Sequence, residues 1–293
     1  MHLNENFFTA GVLPARNYRF VLGRNTALTR ECGLHHGASS QMTALMGEAM
    51  LGAFFIATYA AKNGDLIVSI QMECAGPARR IIAFASNNGD CRSYALSPDA
   101  VWGGSLEEGK GAGVLSVNRW RDGNRKLYTS AVEMRDASIA ENISDFVKNS
   151  DQVAGFIDIR TEMNADGVSC VSGYLFEALP EADEHDREAI RNLIGEREPE
   201  RIIRDMLGDS SGGERISGGL RRAESVKILS AGSFRRYCDC TSSKIENMLL
   251  LLGAEELREI LNEKGFVEIF CEFCKKRYYY EQKEIEELLN GQS

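Results

Sequence analysis

One long helix is the clearest prediction from the pattern of hydrophobic positions. Apolar residues recur at helical spacing after Ser39 or Ser40, either of which can cap the helix, and continue to Ala61. The helix should stop at Asn63-Gly64. Its longest apolar run, Ala49 to Ala61, covers 13 residues interrupted by Thr58. A membrane span needs about 20 apolar residues, so we expect a buried core helix.

Alternating apolar and polar residues predict strands on both sides of this helix. Asn87-Asn88-Gly89-Asp90, Arg121-Asp122-Gly123-Asn124 and Ala165-Asp166-Gly167 separate pairs of such strands, as hairpin turns do. The predicted strands cover residues 17–22, 65–74, 80–86, 91–96, 113–120, 126–134, 153–161 and 168–179, and further helices cover 26–36 and 138–149. Because strands and helices do not alternate regularly, we expect an α+β class, with a two-layer α+β core domain over residues 1–180.

The character of the chain changes after residue 180. A charged helix is predicted from Asp183 to Gly195, and a second helix starts at Pro199, a residue suited to a first helical turn. Residues 208–220 are rich in Gly and Ser and poor in apolar side chains, which is typical of a flexible connection. We therefore predict a linker over residues 181–233, partly helical and partly flexible.

Residues 234–293 have the pattern of a small separate domain. Ser242 or Ser243 can cap a helix that Gly253 ends, and a second helix runs from Glu255 to Lys264. The segment 266–270 alternates as a strand, and 275–280 should be another whose alternate aromatic residues pack inward. Residues 284–289 form a short final helix.

Composition and charge restrict the possible functions. The chain has 293 residues, is 43% hydrophobic and carries a net charge of −9, which argues against an electrostatic nucleic-acid binder. Its start lacks the basic and apolar segments of a signal peptide, so eight cysteines indicate a reducing, cytoplasmic location. The glycine-rich segment 109–113 lacks P-loop spacing, and no residue pattern supports nucleophilic catalysis. We expect neither an enzyme nor a catalytic residue.

Four cysteines form two close pairs near the C-terminus. They are Cys238 and Cys240, in a C-x-C motif, and Cys271 and Cys274, in a C-x-x-C motif, with 30 residues between the pairs. Such short motifs direct two sulfurs toward one point, and Zn²⁺ is commonly held by four thiolates. We predict a metal site at these four residues, although four thiolates also accept iron. The other cysteines, Cys32, Cys74, Cys91 and Cys170, occur singly and are expected to be small hydrophobic residues of the core.

The metal could be a static clamp or a switch. Structural zinc contributes roughly 10–16 kcal/mol in small modules, whereas a sixty-residue domain has a few kcal/mol of its own. A disulfide within either motif closes a tiny loop, adds little cross-link entropy and would not join the two motifs. Oxidation that expels the metal should therefore unfold the module. A thiol oxidoreductase is disfavoured because Cys271 follows a strand, whereas such enzymes place C-x-x-C at a helix start.

The order of motifs resembles that of the C-terminal redox-switch domain in the heat shock protein 33 family. Members of this family are redox-regulated holdase chaperones. The resemblance includes C-x-C at Cys238, the run Leu252-Gly253-Ala254-Glu255-Glu256-Leu257, the run Val267 to Cys274, and Tyr278. Segments 111–132, 139–142 and 150–152 also look like the family, so the resemblance extends over most of the chain.

The resemblance implies a specific function and site. Cys238, Cys240, Cys271 and Cys274 would bind Zn²⁺ when reduced and form the disulfides Cys238–Cys240 and Cys271–Cys274 when oxidised. Zinc release would loosen the linker, produce a homodimer and allow ATP-independent binding of unfolding client proteins, with no role for nucleic acid or membrane. The Gly/Ser stretch departs from the more compact linker of the family. The alternative is a cytosolic protein whose static zinc ribbon binds a nucleic-acid or protein partner.

Overall fold

The computed structural model describes residues 6–61, 64–121, 125–207 and 226–290, without the side chains of 125–127. The chain divides into two compact units, one ending at Arg236 and the other beginning at Tyr237. The predicted flexible stretch at 208–220, the centre of the turn at 121–124 and the predicted helix stop at Asn63 lie outside the described residues. The domain boundaries predicted at 180 and 233 stay predictions.

The first unit mixes helices and strands along the chain. Its elements are β1 (Asn6–Leu13), β2 (Tyr18–Asn25), α1 (Thr26–His36), α2 (Ser40–Ala60), β3 (Leu66–Cys74), β4 (Arg80–Ser86), β5 (Asp90–Ala95), α3 (Leu106–Lys110), β6 (Gly113–Arg121), β7 (Arg125–Met134), α4 (Ile139–Asn149), β8 (Gly155–Asn164), β9 (Gly167–Ala178), α5 (Glu184–Ile194), α6 (Pro199–Leu207), β10 (Lys227–Gly232) and β11 (Arg235–Arg236). The predicted α+β class is confirmed.

Two sheets form the framework of this unit. One has five strands in the order β10-β1-β2-β9-β8, and the other has six in the order β11-β5-β4-β3-β6-β7. All described pairs are antiparallel except β11 with β5, which is parallel. The strands β10 and β11 therefore lie at the edge of one sheet each.

Helix α2 packs against strands of both sheets, which explains its composition. It contacts β9 of the five-stranded sheet and β3, β4 and β5 of the six-stranded sheet, and 17 of its 21 residues are buried. The helix is long and apolar enough to cross a membrane, but 94% of its apolar window is buried within the protein. Ser39 is its N-cap, since its hydroxyl accepts a hydrogen bond from the Met42 backbone N–H at 3.2 Å. The predictions of a buried helix and of its serine cap are confirmed.

The five-stranded sheet is apolar on both faces. One face belongs to the main core around α2, while the other faces a second cluster to which helices α5 and α6 contribute. The side chains that these two helices bury in that cluster are Ile190, Leu193, Ile194, Ile202, Ile203 and Met206. Both helices predicted in the linker are therefore present and packed within the first unit.

The strands β1 and β10 are absent from the sequence-based prediction. Five of the six residues of β10 are exposed, so its sequence shows no alternation. Its partner β1 lies more than 200 residues earlier, with Phe8 opposite Gly232. Pairing over that distance leaves no local pattern.

The second unit is small. Its elements are α7 (Ser242–Leu252), α8 (Ala254–Lys264), β12 (Phe266–Phe270), β13 (Arg277–Glu281) and α9 (Gln282–Asn290). Eight buried side chains form its core: Ile245, Leu249, Leu257, Leu261, Val267, Tyr278, Tyr280 and Ile285. Tyr278 and Tyr280 point inward while Tyr279 is 43% exposed, which confirms the predicted alternation.

The N-cap of α7 differs from the prediction. Thr241 caps the helix, not Ser242 or Ser243, because its backbone is extended and its side chain accepts a hydrogen bond from the Lys244 backbone N–H. Three consecutive hydroxyl residues precede Lys244, so sequence alone could not choose among them.

Candidate metal centre

The first pair of cysteines lies immediately before α7. Asp239, between Cys238 and Cys240, forms an ion pair with Lys244 in the first turn of the helix. Thr241 accepts the backbone N–H of Lys244 at 3.3 Å. These two interactions with the same residue fix the C-x-C segment to the start of α7.

The second pair occupies the turn that joins β12 to β13. These strands are paired from Phe266, opposite Glu281, to Phe270, opposite Arg277. Beyond the last pair, the Cys271 N–H donates to the Lys276 carbonyl oxygen at 3.0 Å and the Lys275 N–H donates to the Cys271 carbonyl oxygen at 2.8 Å. Lys275 has φ of 53°, in the left-handed region, which turns the chain back toward β13.

The fold brings all four predicted sulfurs together. The Sγ atoms of Cys238, Cys240, Cys271 and Cys274 lie within 4.8 Å of one another, and all four side chains are half-buried. The Sγ atoms of Cys238 and Cys271 are 3.7 Å apart, and those of Cys240 and Cys274 are 3.1 Å apart. A disulfide needs about 2.0 Å between sulfurs, so the four residues are thiols here.

These separations fit a tetrahedral metal ion. With Zn–S bonds of about 2.3 Å, the sulfurs at the corners of a tetrahedron are about 3.8 Å apart. The observed contact of 3.7 Å matches that value, and 3.1 Å requires a shift of less than 1 Å. The four residues can therefore hold a metal ion with thiolate ligands.

The ionisation of the cysteines favours a cation at the centre. Burial alone would raise the pKa of Cys240, but the neighbouring Tyr278 hydroxyl and the other three thiols lower it to about 7. Burial and the hydrogen bond with the Cys240 sulfur raise the pKa of Cys274 to about 12. A thiolate at Cys240 therefore opposes ionisation of Cys274 unless positive charge lies beside them.

Tyr278 connects the two cysteine motifs. It follows the second motif on β13 and is 5% exposed, and its hydroxyl donates to the Cys240 carbonyl oxygen at 3.0 Å. The hydrogen bond therefore crosses from one motif to the other without using a sulfur. Its role as a buried aromatic was predicted from the alternation of β13, but its bond to Cys240 was not.

The other four cysteines, predicted as core residues, are all at least half-buried. Cys32 and Cys91 are buried, whereas Cys74 and Cys170 are half-buried. Burial raises the pKa of Cys32 to about 12 and that of Cys74 to about 11, and it also raises the pKa values of Cys91 and Cys170. All four therefore remain protonated and unreactive at neutral pH.

Comparison with known sequences identifies relatives over nearly the whole chain. Residues 7–281 match the family model described as Hsp33 protein. The 33 kDa chaperonin of Desulfotalea psychrophila is 28% identical over 272 residues, covering 90% of each chain. That of Bacillus subtilis is 25% identical over 279 residues, covering 92% of this chain and 93% of the relative.

Comparison with solved structures agrees on the fold. The crystal structure of the 33 kDa chaperonin, a heat shock protein 33 homolog, from Thermotoga maritima matches with a TM-score of 0.77 over 99% of both chains, at 24% identity. With the family model matched from residue 7 to residue 281, the chain belongs to the Hsp33 protein family.

Proposed function

We propose that this protein is a redox-regulated, ATP-independent holdase chaperone, inactive while reduced and zinc-bound. The observation that carries the proposal is the convergence of four thiol sulfurs within 4.8 Å in a module whose core has eight buried side chains. Membership of a chaperone family supports the same conclusion. Cys238, Cys240, Cys271 and Cys274 are the proposed ligands.

The small core makes the module dependent on its metal. When bound, zinc would supply bonds between the two cysteine motifs worth roughly 10–16 kcal/mol of apparent free energy. A core of eight side chains gives a domain of this size a few kcal/mol at most. Loss of the metal should therefore unfold the module.

The oxidant in the proposed activation is a peroxide. One thiolate attacks a peroxide oxygen, which gives a sulfenic acid and releases hydroxide. A second thiolate then attacks the sulfenic sulfur, which forms the disulfide and releases a second hydroxide; the two hydroxides take up two protons and become water. Each peroxide removes two electrons, so four cysteines consume two peroxide molecules. Once oxidised to disulfides, the four cysteines would no longer serve as thiolate ligands for the metal.

The proposed disulfides are Cys238–Cys240 and Cys271–Cys274. In the reduced structure the sulfur contacts of 3.7 and 3.1 Å instead join one motif to the other. Disulfides formed across those contacts would replace the metal as a tether and keep the module folded. Disulfides within each motif leave the two motifs unconnected, which is what a switch requires. Peptide mapping of the oxidised protein by mass spectrometry distinguishes the two pairings.

Unfolding of the module would release apolar surface for clients. We propose that helices α5 and α6 loosen in the same transition, which uncovers the apolar face of the five-stranded sheet that they bury. That surface would bind unfolding proteins in the cytoplasm, and the oxidised form would dimerise. Neither nucleic acid nor membrane has a role in the proposal.

The test follows zinc and client protection together. The reduced, zinc-loaded protein is treated with hydrogen peroxide at mildly raised temperature, while a chromogenic chelator reports zinc and light scattering reports aggregation of an unfolding client. We expect zinc release, loss of helicity and suppression of aggregation, all reversed by reductant. A Cys74→Ser, Cys170→Ser double variant serves as the matched control, since neither residue belongs to the cluster, and should behave as wild type.

Two outcomes would refute the proposal. One is zinc release without any gain in client protection, and the other is zinc that stays bound at peroxide concentrations that oxidise exposed thiols. Either result makes the cluster a static clamp that serves some other binding function.

A further inference from the structure

A single segment closes one edge of each sheet in the first unit. We call residues Lys227–Arg236 the strap; it contains β10 and β11. Strand β10 is the outermost strand beside β1, and β11 is the outermost strand beside β5. If the strap leaves, β1 and β5 become the edge strands of their sheets, with unpaired backbone N–H and C=O groups.

The strap is attached to β1 mainly through its backbone. The register places Phe8 opposite Gly232, and Val12 opposite Lys227 at the other end. Five of the six residues of β10 are exposed, including Ile228 at 45% and Leu229 at 59%. Because these side chains bury little surface, the backbone ladder supplies most of the attachment.

One side chain anchors the strap to the core. Phe234 is 4% exposed, and its ring centroid lies 4.7 Å from that of Phe54 and 5.5 Å from that of Phe8. Other attachments include the parallel pairing of β11 with β5, a hydrogen bond from the Arg235 N–H to the Gly89 carbonyl oxygen at 3.0 Å, and the ion pairs Arg235–Asp90 and Arg236–Glu31, whose arginines are exposed. Exposed ion pairs contribute little to stability, so Phe234 is the main side-chain contact.

The strap also adjoins the cysteine cluster in sequence. It ends at Arg236, and Cys238 is two residues further on. Unfolding of the metal module would remove the structured segment that follows the strap. A strand held by a backbone ladder and one aromatic anchor would then have a free end.

We propose that release of the strap turns β1 into a binding edge for unfolded polypeptide, which pairs with it as a replacement strand. The inference rests on the proposed chaperone function and adds a second binding surface to the apolar sheet face proposed above. Phe8 and Ala10 of β1 belong to the main core around α2, and β1 is paired along its length with β2, so β1 stays in place when β10 leaves. Recognition by main-chain hydrogen bonds with exposed side chains discriminates little among sequences, as capture of many unfolded proteins requires.

The strap itself shows the geometry of the proposed complex. Its residues 227–232 are an extended segment, antiparallel to β1, that a client would replace. The register shift between Ala10 and Gly11 interrupts the ladder once, so a client segment needs the same local irregularity or a shorter match. The predicted site therefore covers about five residues of client backbone.

Hydrogen exchange on the full-length protein tests the proposal directly. Reduced carboxymethylated α-lactalbumin serves as the unfolded polypeptide. Amides of Phe8–Val12 that face β10 should lose their protection from exchange on oxidation. Their protection factors should rise again at least tenfold when this polypeptide is added. Alternate amides of the same strand face β2 and should stay protected throughout, which provides an internal control.

Synthetic peptides test whether the backbone is what binds. A peptide with the sequence of residues 226–236 should compete with α-lactalbumin for the oxidised protein. Two further versions of this peptide carry backbone N-methyl groups on alternate residues. One is methylated at the odd-numbered positions and the other at the even-numbered positions. Methylation of the N–H groups that face β1 should reduce competition at least tenfold, whereas methylation of those that face solvent should not.

A glycine variant tests the strap within the protein. A Cβ at Gly232 would lie 2.5 Å from the Phe8 ring, so Gly232→Ala should weaken the strap and lower the peroxide needed for half-maximal client binding. Ser230→Ala, at an exposed position of the same strand, should not change it. The exchange and peptide experiments use the wild-type protein and decide the matter if the glycine variant misfolds.

The outcomes separate this inference from the proposed function. If the oxidised protein binds no client, the chaperone function itself fails. If it binds client while the β1 amides remain protected, or remain exposed after client is added, the function stands and the inference is wrong. It is also wrong if protection returns with protein concentration alone, because the strap of a second copy then occupies the edge.

Discussion

The buried carboxyl of Glu48 should make the stability of the first unit strongly dependent on pH. Glu48 lies on the central helix α2, is 6% exposed, and accepts a hydrogen bond from the Thr161 hydroxyl at 2.9 Å. Burial raises its pKa from 4.5 to about 8, although the hydrogen bond from Thr161 opposes this shift. The folded protein therefore carries Glu48 in its neutral form at pH 7.

The direction of the change in stability with pH follows from the number of protons bound by the folded and unfolded chains. Between about pH 4.5 and pH 8 the unfolded chain has lost this proton while the folded chain retains it, so stability falls as pH rises. The slope is about 1.4 kcal/mol per pH unit, and the total loss by pH 8 is about 5 kcal/mol. Glu48→Gln keeps the acceptor for Thr161 and cannot ionise, so its advantage over wild type should grow with pH by this amount.

Urea unfolding measures the difference. Both tryptophans, Trp102 and Trp120, belong to the first unit, so their fluorescence reports this unit alone. Glu162→Gln, at an exposed position, is the matched control and should follow wild type at every pH. If the difference in free energy of unfolding between wild type and Glu48→Gln stays constant from pH 5 to pH 8.5, the reasoning about the buried carboxyl is refuted.

Three further predictions follow from other contacts. Tyr278→Phe removes the donor to the Cys240 carbonyl, so it should destabilise the module by about 1 kcal/mol and accelerate peroxide-driven zinc release; an unchanged rate would contradict this. Arg119→Met leaves the Asp151 carboxylate without the buried arginine, which should cost about 3–5 kcal/mol by urea unfolding, and adding Asp151→Asn should recover part of the loss. Chelation of the metal from the reduced protein should collapse the amide NMR dispersion of residues 237–290 and leave that of helix α2 and the strands packed against it intact; a module that stays folded would argue against metal dependence.

Helices and strands that have a clear hydrophobic pattern and a recognisable end residue were predicted from the sequence. Helix α1 occupies Thr26–His36 and strand β4 occupies Arg80–Ser86, the ranges that the hydrophobic pattern predicts. Gly37 ends α1 in the left-handed conformation, with its N–H bonded to the last turn, which is why a glycine there marks the boundary. Such features depend on neighbours within a few residues, so the sequence contains them directly.

Strands at the sheet edges had no comparable signal. The exposed residues of β10 show no alternation, and its position depends on β1 at the other end of the chain. The charged contacts in the interior were equally hidden. Nothing in the sequence around Arg119 indicates that Asp151 and the Tyr59 hydroxyl lie beside it, since Arg119 lies on β6, Tyr59 on α2 and Asp151 in the loop after α4.

Some features of the cysteine cluster could be predicted from the sequence, and others depend on the tertiary structure. The sequence by itself determined the ligand type and the two short motifs, because thiols one or two residues apart can point toward the same ion. Only the tertiary structure decided that sulfurs more than 30 residues apart lie 3.7 and 3.1 Å from each other, and that the Tyr278 hydroxyl bonds to Cys240. The reason is that a motif constrains its own backbone, whereas the approach of two motifs depends on how α7, α8 and the β12–β13 hairpin pack around their shared core.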